Sequence, residues 1–166
     1  MKKKVAINGF GRIGRLVYRA FLERLNEFRD QYEISYINDL ADIDSNIHLL
    51  KYDTIHGPLN KEINKISNEQ FSIGKNTVTV TSERNPIDLK WKDKDVDIIL
   101  ECTGVFASKE KAMSHIESGA SKVIVSAPCS GADITVVQGV NNKNINIDHH
   151  IISNASCTTN CLAPVA

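Results

Sequence analysis

The chain has no long apolar run, no excess of one charge and no two pairs of residues spaced together to bind zinc. Its 20 basic residues balance 20 acidic ones, so the basic surface that a nucleic-acid partner requires is not expected. No apolar segment approaches the roughly 20 residues of a membrane span. The apolar run at residues 5–7 is also too short for a signal peptide. We therefore expect a cytoplasmic protein with no nucleic-acid or membrane partner.

Cysteine is sparse, at four residues, and the compartment favours free thiols over a disulfide framework. Cys157 and Cys161 lie four positions apart, a spacing that could hold a metal in principle, but no second Cys or His pair at zinc spacing accompanies them, so no metal is predicted. Repeats and low-complexity segments are missing as well. A length of 166 residues suits one domain of ordinary size.

A glycine-rich loop follows the apolar run near the start of the chain. Its pattern is Gly-x-Gly-x-x-Gly, formed by Gly9, Gly11 and Gly14, and apolar residues recur at helical spacing after it. In a loop between a strand and a helix, the first glycine allows a tight turn, the second a close pyrophosphate and the third close packing. The phosphates would lie against the N–H groups of Arg12 and Ile13 at the start of the helix.

An acidic residue ends the next predicted strand, residues 33–38. Asp39 lies 25 residues after Gly14, where a carboxylate can accept hydrogen bonds from both ribose hydroxyls of adenosine. The same charge would repel a 2′-phosphate, which predicts NAD rather than NADP as the cofactor. The alternative interpretation is that Asp39 caps a loop before the next helix.

A cysteine motif near the end of the sequence, Ser156-Cys157-Thr-Thr-Asn-Cys161, carries the third signal. A strand at residues 150–153 precedes it and a helix is expected to follow, which puts Cys157 at a first helical turn. The free N–H groups and the positive end of the helix dipole stabilise an anion there. Because the thiolate is the reactive form of cysteine, Cys157 is the predicted nucleophile.

Strands and helices alternate along most of the chain, which predicts an α/β fold of the Rossmann type: a doubly wound, mostly parallel sheet. A small antiparallel insertion, with a hairpin turn at residues 74–76, interrupts the alternation. The strands are predicted at residues 3–7, 33–38, 69–73, 77–82, 96–102, 122–126, 134–137 and 150–153, and the main helices at 12–28, 44–51 and 108–118. Ligands bind at the carboxyl ends of such strands, where the pattern collects Gly9, Asp39, Thr103, Ser126 and Cys157.

Six blocks of sequence together resemble one family, the type I phosphorylating glyceraldehyde-3-phosphate dehydrogenases, over their N-terminal NAD-binding part. The resemblance runs along essentially the whole chain. Its domains would be an NAD-binding Rossmann domain at residues 1–153 and the start of a catalytic domain, otherwise absent, at residues 154–166. The blocks are Asn8-Gly-Phe-Gly-Arg-Ile-Gly-Arg15, Asn38-Asp-Leu40, His48-Leu-Leu-Lys-Tyr-Asp53 with His56-Gly57, Glu101-Cys-Thr-Gly104, Val125-Ser-Ala-Pro128 and Ser153-Asn-Ala-Ser-Cys-Thr-Thr-Asn-Cys-Leu-Ala-Pro164.

The resemblance implies further roles at matching positions. Arg84 would border the adenine, and Thr103 and Ser126 would line the cofactor crevice. Ser156 and Thr158 would lie beside the nucleophile, near the substrate and phosphate pockets.

The resemblance also implies a reaction of glycolysis, in which D-glyceraldehyde 3-phosphate, phosphate and NAD give 1,3-bisphosphoglycerate and NADH through a cysteine thioester. Family members are usually homotetramers, and their catalytic histidine lies downstream of the cysteine motif. This chain is therefore expected to bind NAD but to be inactive alone. The alternatives are erythrose-4-phosphate dehydrogenase and, in another class, a non-catalytic NAD-binding or redox-sensing thiol module.

Overall fold

A computed structural model describes residues 2–166 of the chain, so the predicted first domain begins one residue outside the described part. Within this part, nine strands form one sheet and two short strands form another. The strands are β1 (Lys3–Asn8), β2 (Tyr32–Asn38), β3 (Tyr52–Asp53), β4 (Gly57–Pro58), β5 (Ile63–Lys65), β6 (Gln70–Ile73), β7 (Asn76–Thr81), β8 (Ile98–Glu101), β9 (Lys122–Val125), β10 (Ile134–Thr135) and β11 (Ile151–Ser153).

The large sheet has the strand order β10-β11-β9-β8-β1-β2-β7-β6-β5. All neighbours from β10 to β7 pair in parallel, whereas β6 pairs antiparallel with β7 and with β5. The chain builds outward from β1 in one direction through β2, then returns to the other side of β1 with β8. The gap between β1 and β8 is thus a topological switch point, where ligands of open α/β sheets bind.

Five α-helices are present in the described part: α1 (Arg12–Glu23), α2 (Leu25–Phe28), α3 (Ile43–Lys51), α4 (Lys109–Glu117) and α5 (Cys157–Leu162). Three turns of 3₁₀-helix accompany them at Pro86–Leu89, Trp91–Lys94 and Asn142–Asn144. No helix among residues 2–166 combines the length and the apolar character needed to cross a membrane.

Both faces of the sheet are buried, each under its own helices. Side chains alternate along a strand, and in β1 Val5 and Ile7 belong to one apolar cluster while Ala6 belongs to the other. The first cluster includes Tyr18 of α1, and the second includes Trp91. This two-sided burial confirms the predicted doubly wound α/β class, and it holds the carboxyl ends of the parallel strands in fixed positions.

Three local features differ from the sequence prediction. The helix expected at residues 12–28 breaks at Arg24, whose φ of −101° and ψ of 22° leave the helical region. The strand β7, predicted as part of an antiparallel insertion, also pairs in parallel with β2 and so extends the main sheet. The strand β5 and the β3–β4 pair were not predicted, because segments of two or three residues carry no periodicity.

Candidate functional site

A cleft of about 400 Å³ lies at the switch point, along the carboxyl ends of β1, β2 and β8. Its volume falls in the range of small-molecule sites. Five of the residues predicted to bind a cofactor line it, and these are Gly9, Gly11, Asp39, Arg84 and Thr103. The sheet topology therefore brings together residues that are up to 94 positions apart in the sequence.

The three glycines of the loop are each required for a different reason. Gly9 has a φ of +90°, and a Cβ there would lie 2.7 Å from the backbone nitrogen of Thr103. A Cβ on Gly14 would lie 2.1 Å from the carbonyl oxygen of Gly9. Gly11 has no neighbouring atom within 4 Å of such a Cβ, so its backbone faces open space at the cleft. The sequence predicts these three requirements: a tight turn at Gly9, close packing at Gly14 and room for a ligand at Gly11.

The first turn of α1 offers unpaired backbone N–H groups. Its N-cap is Gly11, which has no side chain to accept them, whereas Asp42, Ser108 and Ser156 cap α3, α4 and α5 with side-chain oxygens. Unpaired N–H groups at a helix start form an anion site. The N–H groups of the first turn, including those predicted for Arg12 and Ile13, therefore fit a pyrophosphate.

The Arg12 side chain is held by an acidic residue to which the sequence analysis gave no role. Arg12 Nη1 lies 3.4 Å from Oδ2 of Asp53, whose side chain is 8% exposed. Hydrogen bonds from the backbone N–H groups of His56 and Ile55, the His56 ring and the charge of Arg12 lower the Asp53 pKa and outweigh the opposing effect of desolvation. The ionised Asp53 thus connects the β3–β4 turn to the start of α1. Asp53 and His56 lie in one of the six sequence blocks, which was the available signal.

Asp39 both lines the cleft and anchors two loops. Its Oδ2 accepts a hydrogen bond of 2.7 Å from the N–H of Phe10, and its Oδ1 accepts one of 2.9 Å from the N–H of Ala41. The loop-capping interpretation is therefore part of the structure. These contacts are compatible with the predicted ribose interaction, because a carboxylate has about four lone-pair sites and only two of them are used here.

Ser126 is one of four predicted cofactor residues that do not line the cleft, the others being Arg12, Ile13 and Gly14. Ser126 follows β9, and its N–H donates to the carbonyl of Glu101 at 3.0 Å. Its side chain lies near the thiol of Cys102, which lines the cleft, and opposes the rise in the pKa of that thiol. Cys102 is half-buried, and burial raises the pKa of its thiol to about 11, so it is largely protonated at neutral pH.

Cys157 is the first residue of α5, directly after a sharp turn. Ala155 adopts a φ of +56°, a costly conformation for a residue with a Cβ. Ser156 Oγ then accepts the N–H of Thr159 at 3.0 Å and lies 3.0 Å from Oγ1 of Thr158. This turn presents both Cys157 and Thr158 to solvent.

A second cavity, of about 440 Å³, adjoins the N-cap of α5. Its polar lining comes from Ser130, Thr135, Ser156 and Thr159. Hydroxyl groups of this kind can donate to the oxygens of an anionic substrate. Ser156 thus connects the turn that presents the cysteine to a cavity of substrate size.

No base lies beside the cysteine in the described part of the chain. Of the histidines there, His149 and His150 precede β11 and lie at the end of this strand opposite to Cys157. His115 is fully buried and hydrogen-bonded to Glu101. His48 packs against Tyr52 and His56 pairs with Asp53. No group of three or more potential metal ligands is found among residues 2–166.

A buried polar network beneath the cleft was missed by the sequence analysis. Glu101, which is 1% exposed, lies within hydrogen-bonding distance of Asn8, Thr103 and His115. The signal in the sequence was a set of polar residues at the ends of apolar strands, but their pairing depends on the fold.

Comparison with known proteins gives one consistent family. Residues 3–109 match the family described as "Glyceraldehyde 3-phosphate dehydrogenase, NAD binding domain". Among curated relatives, glyceraldehyde-3-phosphate dehydrogenase of Xanthobacter flavus is 50% identical over 166 residues, covering 100% of this chain and 48% of the relative. The enzymes of that name from Cereibacter sphaeroides and Geobacillus stearothermophilus are 48% and 49% identical, again over 100% of this chain and 48% of each relative.

The chain thus spans about half the length of the curated relatives it matches. The cofactor in the family description is NAD, as predicted from the glycine loop and Asp39. A cleft at the switch point, a glycine loop beneath an uncapped helix and the match over residues 3–109 all agree. The chain belongs to the glyceraldehyde 3-phosphate dehydrogenase family, through its NAD-binding domain.

Proposed function

We propose that this chain is the NAD-binding part of a dehydrogenase that oxidises D-glyceraldehyde 3-phosphate with phosphate and NAD. The products would be 1,3-bisphosphoglycerate and NADH. The observation that carries the proposal is the presence of two sites at the carboxyl edge of one parallel sheet. One is the cleft with the glycine loop and Asp39, and the other is the exposed Cys157 after β11. The names of the relatives support the choice of substrate.

The residues that line the cleft fit NAD. The N–H groups of Arg12 and Ile13 would hold the pyrophosphate, while Gly11 leaves room for it. Asp39 would hold the adenosine ribose, and Arg84 would border the adenine. Thr103 would line the crevice, and Ser126 would lie behind it, with its N–H bonded to the carbonyl of Glu101. NAD, when bound, supplies the acceptor for the hydride that leaves the substrate.

The chemistry of this chain's own residues centres on Cys157. Its Sγ would form a bond to the aldehyde carbon, and after oxidation it would carry the acyl group as a thioester. Attack by inorganic phosphate on the thioester carbon would break the C–S bond, release the acyl phosphate and return the thiolate. The hydroxyls of Ser156 and Thr158 lie next to the sulfur-bearing residue and would orient the substrate or the phosphate.

We further propose that the 166-residue chain alone binds NAD without useful turnover. General-base catalysis contributes about 10²- to 10⁴-fold, and none of the histidines in the described part hydrogen-bonds to Cys157. The family resemblance supports a downstream histidine as the base and a homotetramer as the assembly of the complete protein.

Calorimetric titration of the chain with NAD and, in parallel, NADP tests the cofactor half of the proposal. Binding of NAD with little binding of NADP is expected, and equal or absent binding of both would contradict it. The product of the complete gene should then reduce NAD with glyceraldehyde 3-phosphate in the presence of phosphate. A clear preference for erythrose 4-phosphate, or a thiol that reacts only with peroxide, would support the alternatives instead.

A further inference from the structure

A chain of hydrogen-bonded polar side chains runs beneath the cleft, closed off from solvent. We call it the buried polar network, and it consists of Asn8, Asn38, Glu101, His115 and Trp91. None of the five is more than 5% exposed. They come from β1, β2, β8, α4 and a 3₁₀ turn. The network therefore connects three strands of the sheet to a helix and a turn through side chains.

Glu101 is the centre of the network because four donors converge on its carboxylate. Oε2 accepts from Nδ2 of Asn8 at 2.6 Å and faces Nε2 of His115 at 3.1 Å. Oε1 accepts from the backbone N–H of Thr103 at 2.8 Å and also from the Thr103 hydroxyl. A buried carboxyl group needs hydrogen-bond partners at both oxygens, and these four donors supply them.

The orientation of His115 is fixed from its other side. The indole N–H of Trp91 donates to Nδ1 of His115 at 3.1 Å, so Nδ1 must present a lone pair. The ring hydrogen therefore lies on Nε2 and points at Glu101. Trp91 and His115 thus select the tautomer that binds the carboxylate.

The other arm of the network reaches the far wall of the cleft. Asn8 Oδ1 accepts from Nδ2 of Asn38 at 2.8 Å. Asn38 in turn clamps the backbone of Glu83, accepting its N–H at 2.8 Å and donating to its carbonyl at 2.8 Å. Thr81 adds a hydrogen bond of 3.0 Å to Asn38 Oδ1. The amide of Asn38 therefore has all four of its hydrogen bonds, and the loop before Arg84 is held by them.

Stability does not account for such an arrangement. Taking a carboxylate out of water is costly, and well-packed apolar residues are often as stabilising as a buried charged group. The network instead reaches the backbone that lines the cleft at two points, Thr103 through Glu101 and Glu83 through Asn38. A satisfied polar network holds its members in one geometry, which suits a site that must exist before its ligand arrives.

We propose that Glu101 is a positioning residue for the cofactor, which it serves through the Thr103 loop, with Asn8 and Asn38 holding the opposite wall. This inference rests on the proposed function, since it takes the cleft to be the NAD site. It assigns Glu101 no contact with the cofactor and no step in the reaction.

The test compares Glu101→Gln with Asp133→Asn in the 166-residue chain. Glutamine has nearly the same shape as glutamate, but its NH₂ group would face either the donors Asn8 and His115 or the two donors of Thr103, and so would lose their hydrogen bonds. Asp133 is a matched control, a largely buried carboxylate outside the cleft that binds Lys109 and the N–H groups of His150 and Ile151. For E101Q we expect the Kd for NAD to rise about tenfold, as for loss of a buried hydrogen bond to a charged group. For D133N we expect an unchanged Kd, although both variants lose thermal stability.

A second measurement needs no cofactor. Amide hydrogen exchange in E101Q should be about tenfold faster at Thr103 and Val105 than in the parent chain, with the other strand ends unchanged. Parental NAD affinity in E101Q, or exchange that rises uniformly along the chain, would overturn the inference. If the parent chain bound no NAD, the proposed function would fail. The exchange pattern alone would then decide whether Glu101 positions the Thr103 loop. If E101Q did not fold, E101D would replace it, since aspartate keeps the carboxyl group but is one methylene shorter. We expect E101D to raise the Kd for NAD by the same factor, and an unchanged Kd would overturn the inference.

Discussion

The carboxylate of Asp39 accepts a hydrogen bond of 2.7 Å from the backbone N–H of Phe10. This contact ties the end of β2 to the glycine loop that follows β1. The other carboxylate oxygen accepts the N–H of Ala41, so the two contacts together fix the orientation of the acid at the cleft. The proposed role of Asp39 in nucleotide preference therefore involves a side chain that two backbone N–H groups hold in position.

Replacing Asp39 by alanine should lower the affinity for NAD by about tenfold or more, since the two proposed hydrogen bonds from the ribose hydroxyls to the carboxylate are lost. The affinity for NADP should fall less or rise, because the charge that repels a 2′-phosphate is gone. Calorimetric titration with both nucleotides measures the two values. Asp44→Ala, which removes only an exposed pair with Lys65, is the control. An unchanged NAD to NADP ratio in D39A would refute the ribose role.

Two alanine substitutions in the glycine loop should affect different properties, one the stability of the fold and the other the affinity for NAD. Gly14→Ala should destabilise the fold by about 1–3 kcal/mol, as in other overpacked sites, because the new Cβ would lie 2.1 Å from the Gly9 carbonyl. Gly11→Ala should leave stability within about 0.5 kcal/mol, since its φ is −66° and no atom is near. Its methyl group should nevertheless weaken NAD binding. Thermal unfolding and titration of both variants would show whether the two effects separate.

The four thiols should react in two classes. Cys157 and Cys161 are exposed and should be alkylated first by iodoacetamide, whereas Cys102 and Cys129 should lag. Burial raises the pKa of Cys102 to about 11, and burial followed by the charge of Asp133 raises that of Cys129. Because the thiolate is the nucleophile, labelling of Cys102 should rise about tenfold per pH unit between pH 8 and pH 10. Peptide mapping by mass spectrometry, with the unfolded chain as reference, gives the order. Equal rates at all four sites would contradict it.

Acid should destabilise the fold partly through Asp133. Partial burial acts to raise the pKa of this carboxyl, but the hydrogen bonds from Lys109 and from the N–H groups of Ile151 and His150 outweigh it, and the pKa falls to about 2. A pKa lower than in the unfolded chain contributes stability above the unfolded value, near 3.9, and loses it as the pH falls toward 2. The melting temperature of the parent chain should therefore drop more steeply between pH 5 and pH 2 than that of D133N. Parallel curves would contradict this assignment.

The glycine loop and Asp39 were predictable because their signals are local. A strand, three glycines, a helix and an acid follow one another within 37 positions, from Lys3 to Asp39, and each has a separate physical requirement. The strand ends could likewise be grouped in advance, since parallel strands end at a common edge.

The buried polar network and the helix break could not be predicted in this way. Asn8 and His115 are 107 positions apart, and nothing in either local sequence names the other. Arg24 ends α1 without a glycine or a proline to mark it, while its side chain pairs with Glu27 and lies over the ring of Phe28. Such pairings are consequences of tertiary packing, which overrides local propensity.

Trp91 is the one tryptophan in the sequence, and its indole is hydrogen-bonded to His115 beneath the cleft. The emission of the whole chain under tryptophan excitation therefore comes from a single ring, two side chains away from the Thr103 loop. A nucleotide that shifts this loop, or a variant that releases Glu101, should change the colour or the intensity of that emission. The protein thus contains a single intrinsic fluorophore that is linked to the cleft through His115 and Glu101.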